Sequence, residues 1–230
     1  MFPHISSLWA ENREENMKEK LLLHSCCGPC STACVKRLCE EGNYEITVFF
    51  YNPCITETEE YEKRKANQIR FLDQWNEEHP ADPVGFIEGD YFHDREDYFQ
   101  MVRGLEQEPE GGKRCEVCFS QRLAKSVSYA QEHGFPLFTT TLTVSPYKNY
   151  PLISGIAEEL AEEADGVSFL DIDFKKKDGF LNSTKLSKKY GLYRQNYCGC
   201  IYSKIEAEAQ RKERAERRAQ KQNAPDVQHV

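Results

Sequence analysis

Five short runs of aliphatic, aromatic and β-branched residues recur along the chain: LLLHS at 21–25, YEITVFFYNPC at 44–54, VGFIEG at 84–89, PLFTTTLTVSP at 136–146 and VSFLDIDF at 167–174. Between them lie stretches long enough for helices. A strand–helix–strand alternation favours parallel pairing, because each helix returns the chain to the edge where the next strand starts. The runs are nearly continuous in apolar character, as strands covered on both faces must be. The expectation is therefore an α/β fold: a mostly parallel sheet with helices on both faces, of the Rossmann-like or HUP-like kind, plus a charged C-terminal helix.

Local signals place the helices. In CCGPCSTACVKRLCEEG, Pro29 suits a first helical turn, where a missing N–H costs nothing, and Gly42 supplies a stop. A charged helix is expected from Glu57 to His79, with Ile69, Phe71, Leu72 and Trp75 toward its buried side. GDYFHDREDYFQMVRGLE contains a further helix. Gly111-Gly112 demands a turn, after which Cys115 and Cys118 open the helix FSQRLAKSVSYAQEHG. ISGIAEELAEEADG is another helix. From Lys175 to Ser203 the sequence is basic and aromatic with no strong period, and SKIEAEAQRKERAERRAQKQ reads as a charged, alanine-rich helix projecting into solvent. These signals divide the chain into an N-terminal charged helix over 1–20, a single α/β catalytic domain over 21–203, and a charged helix with a disordered tail over 204–230.

No apolar run approaches the roughly 20 residues of a membrane span, and the N-terminus lacks a secretory pattern, so the expected location is the cytoplasm. A reducing compartment disfavours structural disulfides and turns the ten cysteines toward metal or redox chemistry. They bunch: Cys26, Cys27 and Cys30; Cys115 and Cys118; Cys198 and Cys200. The net charge of −8 and pI near 5.4 argue against a protein that coats nucleic acid, while leaving room for a local basic surface.

The first group follows a strand and opens a helix, where ligands of open α/β sheets bind and where the helix dipole favours thiolates. Cys27, Cys30 and Cys34 fall on related faces of that helix, but Cys34 and Cys39, inside it, read as small packing residues. Cys54, after Asn52-Pro53, is open. Cys115-x-x-Cys118 fits an iron–sulfur cluster, structural zinc or a dithiol; zinc lacks a second pair of the usual spacing. In Cys198-Gly199-Cys200 the glycine lets both sulfurs meet each other in a strained disulfide or aim at one metal. Seven thiols exceed what one four-cysteine cluster consumes, so a second redox element or metal is expected.

The motifs CCGPCST (26–32), FFYNPCI (49–55), EYEKRK (60–65), GLEQEPEGGKRCEVCFSQRL (104–123), FTTTLTVSPYKN (138–149), DFKKKDG (173–179) and YGLYRQNYCGCIYS (190–203) together resemble the QueH type of epoxyqueuosine reductase. The resemblance implies reduction of the epoxide of epoxyqueuosine, at the wobble position of a tRNA anticodon, to queuosine without cobalamin. It implies that Cys26, Cys27, Cys115 and Cys118 ligate a [4Fe–4S] cluster and that Cys198 and Cys200 form a redox-active pair. The alternative sharing takes one of the late pair into the cluster and leaves Cys30, one of the first two cysteines and the other late cysteine to hold an additional iron ion. An electron donor is required in either case.

For a tRNA partner, Lys175, Lys176 and Lys177 with Arg64, Lys65, Lys148 and Arg194 form the candidate basic surface, and Tyr190, Tyr193 or Tyr197 the candidate base-stacking ring. Two rivals stand beside this reading. An ATP-dependent PP-loop enzyme is disfavoured because HSCCGPCS puts bulky thiols where a phosphate loop needs glycine and serine. A zinc-stabilised RNA-binding module would carry zinc without sulfide.

Overall fold

The computed structural model describes residues 18–223, with side chains to 220. Its sheet has five strands in the order β3-β2-β1-β4-β5, all parallel. The strands are β1 (Glu19–Ser25), β2 (Tyr44–Phe50), β3 (Gly85–Glu88), β4 (Leu137–Thr140) and β5 (Ser168–Phe169). The helices are α1 (Gly28–Glu41), α2 (Thr58–Glu78), α3 (Tyr91–Met101), α4 (Lys113–Glu132), α5 (Tyr150–Glu162), α6 (Gly179–Lys189) and α7 (Ile201–Asn223), with a 3-10 turn at Thr141–Val144.

The pleat of β1 explains the layers. Leu21 and Leu23 point to one face, into a core with Val35 and Leu38 of α1 and Phe71 and Trp75 of α2, while Leu22 points to the other, against Phe119 and Leu123 of α4 and Ile153 of α5. All three leucines are fully buried, each worth roughly 2 kcal/mol of transfer free energy. In β2, Ile46 and Val48 join the first core and Phe49 the second. The chain leaves β1 toward β2 on one side and returns through β4 on the other, so the crevice beyond the carboxyl ends of β1 and β4 is the topological switch point.

The α/β expectation holds, and the differences from it are local. The N-terminal helix over 1–20 lies mostly outside the described residues, but Glu19 and Lys20 belong to β1, where they sit opposite Tyr44 and Glu45. Ile69 is 37 % exposed; α2 buries Gln68, Phe71, Leu72 and Trp75 instead. The fifth run forms a strand only at Ser168–Phe169, where β4 offers partners. The segment after Lys175 contains α6, and the charged helix begins at Ile201 rather than 204.

Candidate active site

Three helix N-termini meet at the switch point, and each carries thiols. Cys27, extended at φ −170° and ψ 145°, is the N-cap of α1, with Cys26 before it and Cys30 in the first turn. Cys115 and Cys118 occupy the first two turns of α4, and Cys200 immediately precedes α7. The partial positive charge of a helix N-terminus favours thiolate at all three places. Backbone N–H groups add to it: Gly111 donates to Cys115 Sγ at 3.2 Å and Ser203 to Cys200 Sγ at 3.4 Å. All ten cysteines are free thiols.

The close approach of neighbouring segments depends on two glycines. A Cβ on Gly28 would lie 2.7 Å from the carbonyl oxygen of Asn67 on α2. Gly199, at φ +137°, adopts backbone that side chains rarely tolerate, and a Cβ there would meet Ile55 at 2.9 Å and Arg64 Nη1 at 3.1 Å. Arg64 is the clamp at this point. Buried and paired with Glu60 at 2.7 Å, it donates to the carbonyls of Cys198 (2.7 Å) and Tyr197 (3.3 Å), fixing the CGC turn against α2.

A cavity open at one side is lined by Cys54, Cys115, Cys118, Cys198 and Cys200, together with Asn52, Tyr98, Arg114, Arg122 and Lys148. Cys26, Cys27 and Cys30 do not line it. They lie in a row beside it, with Gln195 Nε2 donating to Cys27 Sγ at 3.0 Å and Cys26 close enough to Cys198, Arg122 and Lys148 to feel their charge. No three sulfurs lie mutually within 4.8 Å; among the described residues only His93, Asp94 and Asp97 do. Tetrahedral zinc, with Zn–S near 2.3 Å, needs sulfurs about 4 Å apart. No three of the thiols are gathered at that spacing.

Arg122 carries the electrostatic argument. It is 1 % exposed, its Nη1 donates to Cys118 Sγ at 3.8 Å and its Nε to His24 Nε2 at 3.4 Å, and its Nη2 has no partner. It forms no ion pair with a carboxylate among the described residues. A buried guanidinium is costly unless an anion stands beside it, and in the iron-free fold Cys118, whose pKa is lowered to about 6, is the thiol placed to serve. The donor set around it offers sulfur, and a cluster held by four thiolates is net anionic. An iron–sulfur cluster therefore fits these residues in both softness and charge.

Protonation states follow the same field. A hydrogen bond from Cys54 lowers the Cys118 pKa, and the Arg122 charge reinforces this against burial. Burial pushes the Cys54 thiol well up. Cys26 is raised by its hydrogen bond to Cys27 and by burial. Cys27 stands at about 11: the bond from Cys26 lowers it, but the bond to Cys30 and burial prevail. Burial raises Cys115 to about 11 against the Gly111 N–H, and it raises Cys198 and Cys200 too. Burial also works against the Lys148 ammonium, yet Cys198, Cys26 and Cys30 hold its pKa above the ordinary value. His24 is kept neutral by burial and by Arg122.

The residues nominated for RNA are placed less uniformly. Lys176 and Lys177 are exposed, and Lys175 is half-buried with Nζ on the Lys148 carbonyl. Arg194 bonds Ser183 and Ser187 of α6 and lies over Phe180. Arg64 is the buried clamp just described, and Lys148 lines the thiol cavity, so neither belongs to an outer basic surface. Tyr190 is 2 % exposed in the first core, Tyr193 lies under Lys63, and Tyr197 lies under Arg64 with its hydroxyl on Glu57. Sequence reasoning left Cys54 open and missed Arg122. The signal for the latter was present, since Cys115, Cys118 and Arg122 follow an i, i+3, i+7 stripe on α4.

Residues 21–206 match the family model described as epoxyqueuosine reductase QueH. An epoxyqueuosine reductase QueH from Histophilus somni is 41 % identical over 184 residues, covering 80 % of this chain and 72 % of that protein. One from Haemophilus influenzae is 41 % identical over the same length, covering 80 % and 71 %. One from Thermotoga maritima is 33 % identical over 187 residues, covering 81 % and 91 %. The matched span includes all three thiol-bearing helix starts and the Arg122 stripe, and with relatives of this identity over most of both chains, the chain belongs to the epoxyqueuosine reductase QueH family.

Proposed function

We propose that this chain reduces the epoxide of epoxyqueuosine in the anticodon wobble position of tRNA to the alkene of queuosine, in the cytoplasm, at the thiol cavity. The observation that carries the cluster assignment is Arg122, buried beside Cys118 with one nitrogen unpartnered and no carboxylate to neutralise it. Family membership supports the substrate.

Cys26, Cys27, Cys115 and Cys118 would hold a [4Fe–4S] cluster, leaving Cys198 and Cys200 as a dithiol; in the alternative sharing one of them moves to the cluster and Cys30 helps hold an additional iron. When bound, the cluster supplies electrons one at a time. The overall reaction takes up two electrons and two protons, breaks both C–O bonds, forms the C=C bond and releases the oxygen as water. Lys148 holds a proton at Nζ on the cavity wall, where a departing epoxide oxygen can accept a hydrogen bond. Arg64 and Gly199 fix Cys198 and Cys200 in place, so neither thiol searches for its position during turnover. The apolar walls of Tyr98 and Phe119 limit water.

The test is anaerobic purification, iron and acid-labile sulfide analysis, and incubation with reductant and tRNA carrying epoxyqueuosine, followed by mass spectrometry of the nucleosides. About four irons per chain and loss of one oxygen from the nucleoside are expected. Zinc without sulfide, or an unchanged nucleoside, refutes the reading. Changing Cys198 and Cys200 together to Ser divides the two sharings: iron retained with activity lost supports the dithiol, and iron lost supports ligation.

A further inference from the structure

Tyr147 is 82 % exposed, yet it lines the same cavity as Cys115, Cys118, Cys198 and Cys200. A side chain does both only at the mouth. Its ring takes part in no stacking or cation–π contact among the described residues, in contrast to the three engaged tyrosines of the 190–197 segment. Nor is it on a loose loop. Ser145 Oγ accepts the Tyr147 N–H at 3.3 Å, the Lys148 N–H closes a turn on the Ser145 carbonyl at 3.3 Å, and Asn149 caps α5 by accepting the Leu152 N–H at 3.3 Å. Lys175 Nζ holds the Lys148 carbonyl at 3.3 Å. The backbone is thus fixed on both sides of an aromatic ring that nothing covers.

We infer that Tyr147 stacks on an unpaired base of the single-stranded RNA loop whose modified nucleotide enters the cavity. This rests on the tRNA reading above. Leaving an aromatic ring in water is unfavourable, and a splayed base is the flat, polyanion-borne surface that suits it. The charge around the ring points the same way. Lys175 is bonded to that loop, and Lys176 and Lys177 continue exposed beyond, a cationic run in a chain of net charge −8. Acids stand here too: Asp171 accepts the Tyr150 hydroxyl at 2.8 Å, Asp173 accepts the Lys175 N–H at 3.1 Å, and Glu110 also lines the cavity. Lys148 turned inward and Tyr147 outward, on adjacent residues, would hold the reacting nucleotide from within and its neighbour from without.

The experiment uses the full chain, loaded anaerobically, and an anticodon stem-loop RNA carrying epoxyqueuosine at the wobble position and 2-aminopurine beside it. Stacking quenches this probe. Wild type and Tyr147→Phe should quench it and bind alike, whereas Tyr147→Ala should bind roughly tenfold or more weakly and lose the quenching while keeping wild-type iron content. Wild-type affinity and quenching in Tyr147→Ala, with wild type still reducing epoxyqueuosine, overturns the stacking role alone. Unchanged RNA binding with slower turnover from a protein electron donor also overturns it, and assigns the ring to the donor. If wild type neither binds nor reduces this RNA, the underlying tRNA reading falls with it.

Discussion

Cys27 caps α1 and Cys34 lies two turns further along the same helix; both are fully buried. Around Cys27 stand the thiols of Cys26 and Cys30, the donated amide of Gln195 and the Arg64 charge. Around Cys34 stand Val35, Leu38 and Phe71, and its one polar contact is a bond to the Cys30 carbonyl at 3.4 Å. Burial does not distinguish the two. Donors, cations and the helix dipole do, because a thiolate needs them and a thiol packed as a small hydrophobe does not. Cys39 belongs with Cys34: it packs near Trp75, and burial raises it to about 11, with the Asp82 charge adding to the effect.

The sharpest break of this comparison exchanges sulfur for oxygen in each class. Cys118→Ser or Cys115→Ser should abolish visible cluster absorbance and reductase activity, while Cys39→Ser should retain both within about twofold and cost only about 1 kcal/mol of stability. Anaerobic absorbance spectra with iron analysis read the result. Equal loss in both classes would make the contrast between the helix start and the helix interior meaningless.

Arg122 tests the comparison from the cation side. With iron removed, Arg122 has Cys118, lowered to about 6, as its one thiolate among otherwise neutral thiols, so Arg122→Met should change thermal stability little. In the loaded protein the same change removes the counter-charge of the cluster, for an expected loss of about 3 kcal/mol together with poorer reconstitution. Thermal unfolding of both forms checks this. A similar loss in both forms would reduce Arg122 to a packing residue.

How much of this was legible beforehand varies with the physical signal. The strands were legible because β1 and β2 are buried on both faces and read as unbroken apolar runs. The cysteine groups were legible because their spacing is local. The α6 helix was not: it packs on α1 through Gly179, Ser183 and Ser187, a small-residue face at i, i+4, i+8 with no apolar stripe, and it is entered through positive φ at Lys177 and Asp178. Exposure of individual aromatics is also tertiary information. Tyr190 and Tyr147 look alike in sequence, but one is held by Phe71 and Glu78 and the other faces solvent at the cavity mouth. For the same reason Arg64 could not be told from a surface arginine until Glu60 and the CGC carbonyls were seen around it.

The smallest effect expected is on pH dependence, and it too separates the two cysteine classes. An ordinary thiol titrates near 8.5. Cys27, Cys115 and Cys39 each stand at about 11 in the iron-free fold, so they stay protonated there while the unfolded chain begins to ionise. A group whose folded pKa is raised contributes stability that is whole below the unfolded value and is lost as pH rises through the folded one. The iron-free protein should therefore weaken between about pH 8.5 and 11, by on the order of 1 kcal/mol per thiol once solvent screening of the half-buried ones is allowed for. Ligation removes the proton from Cys27 and Cys115 and leaves Cys39 untouched. In the loaded protein the alkaline loss should shrink to the part carried by unligated thiols such as Cys39, Cys34 and Cys54, and Cys39→Ala should remove only its own share. Denaturant midpoints measured anaerobically at pH 7.5 and 10, with and without iron, decide the matter. An alkaline loss of the same size in both forms would mean that Cys27 and Cys115 keep their protons when iron is bound, and the division between ligand and packing thiols would have to be drawn elsewhere.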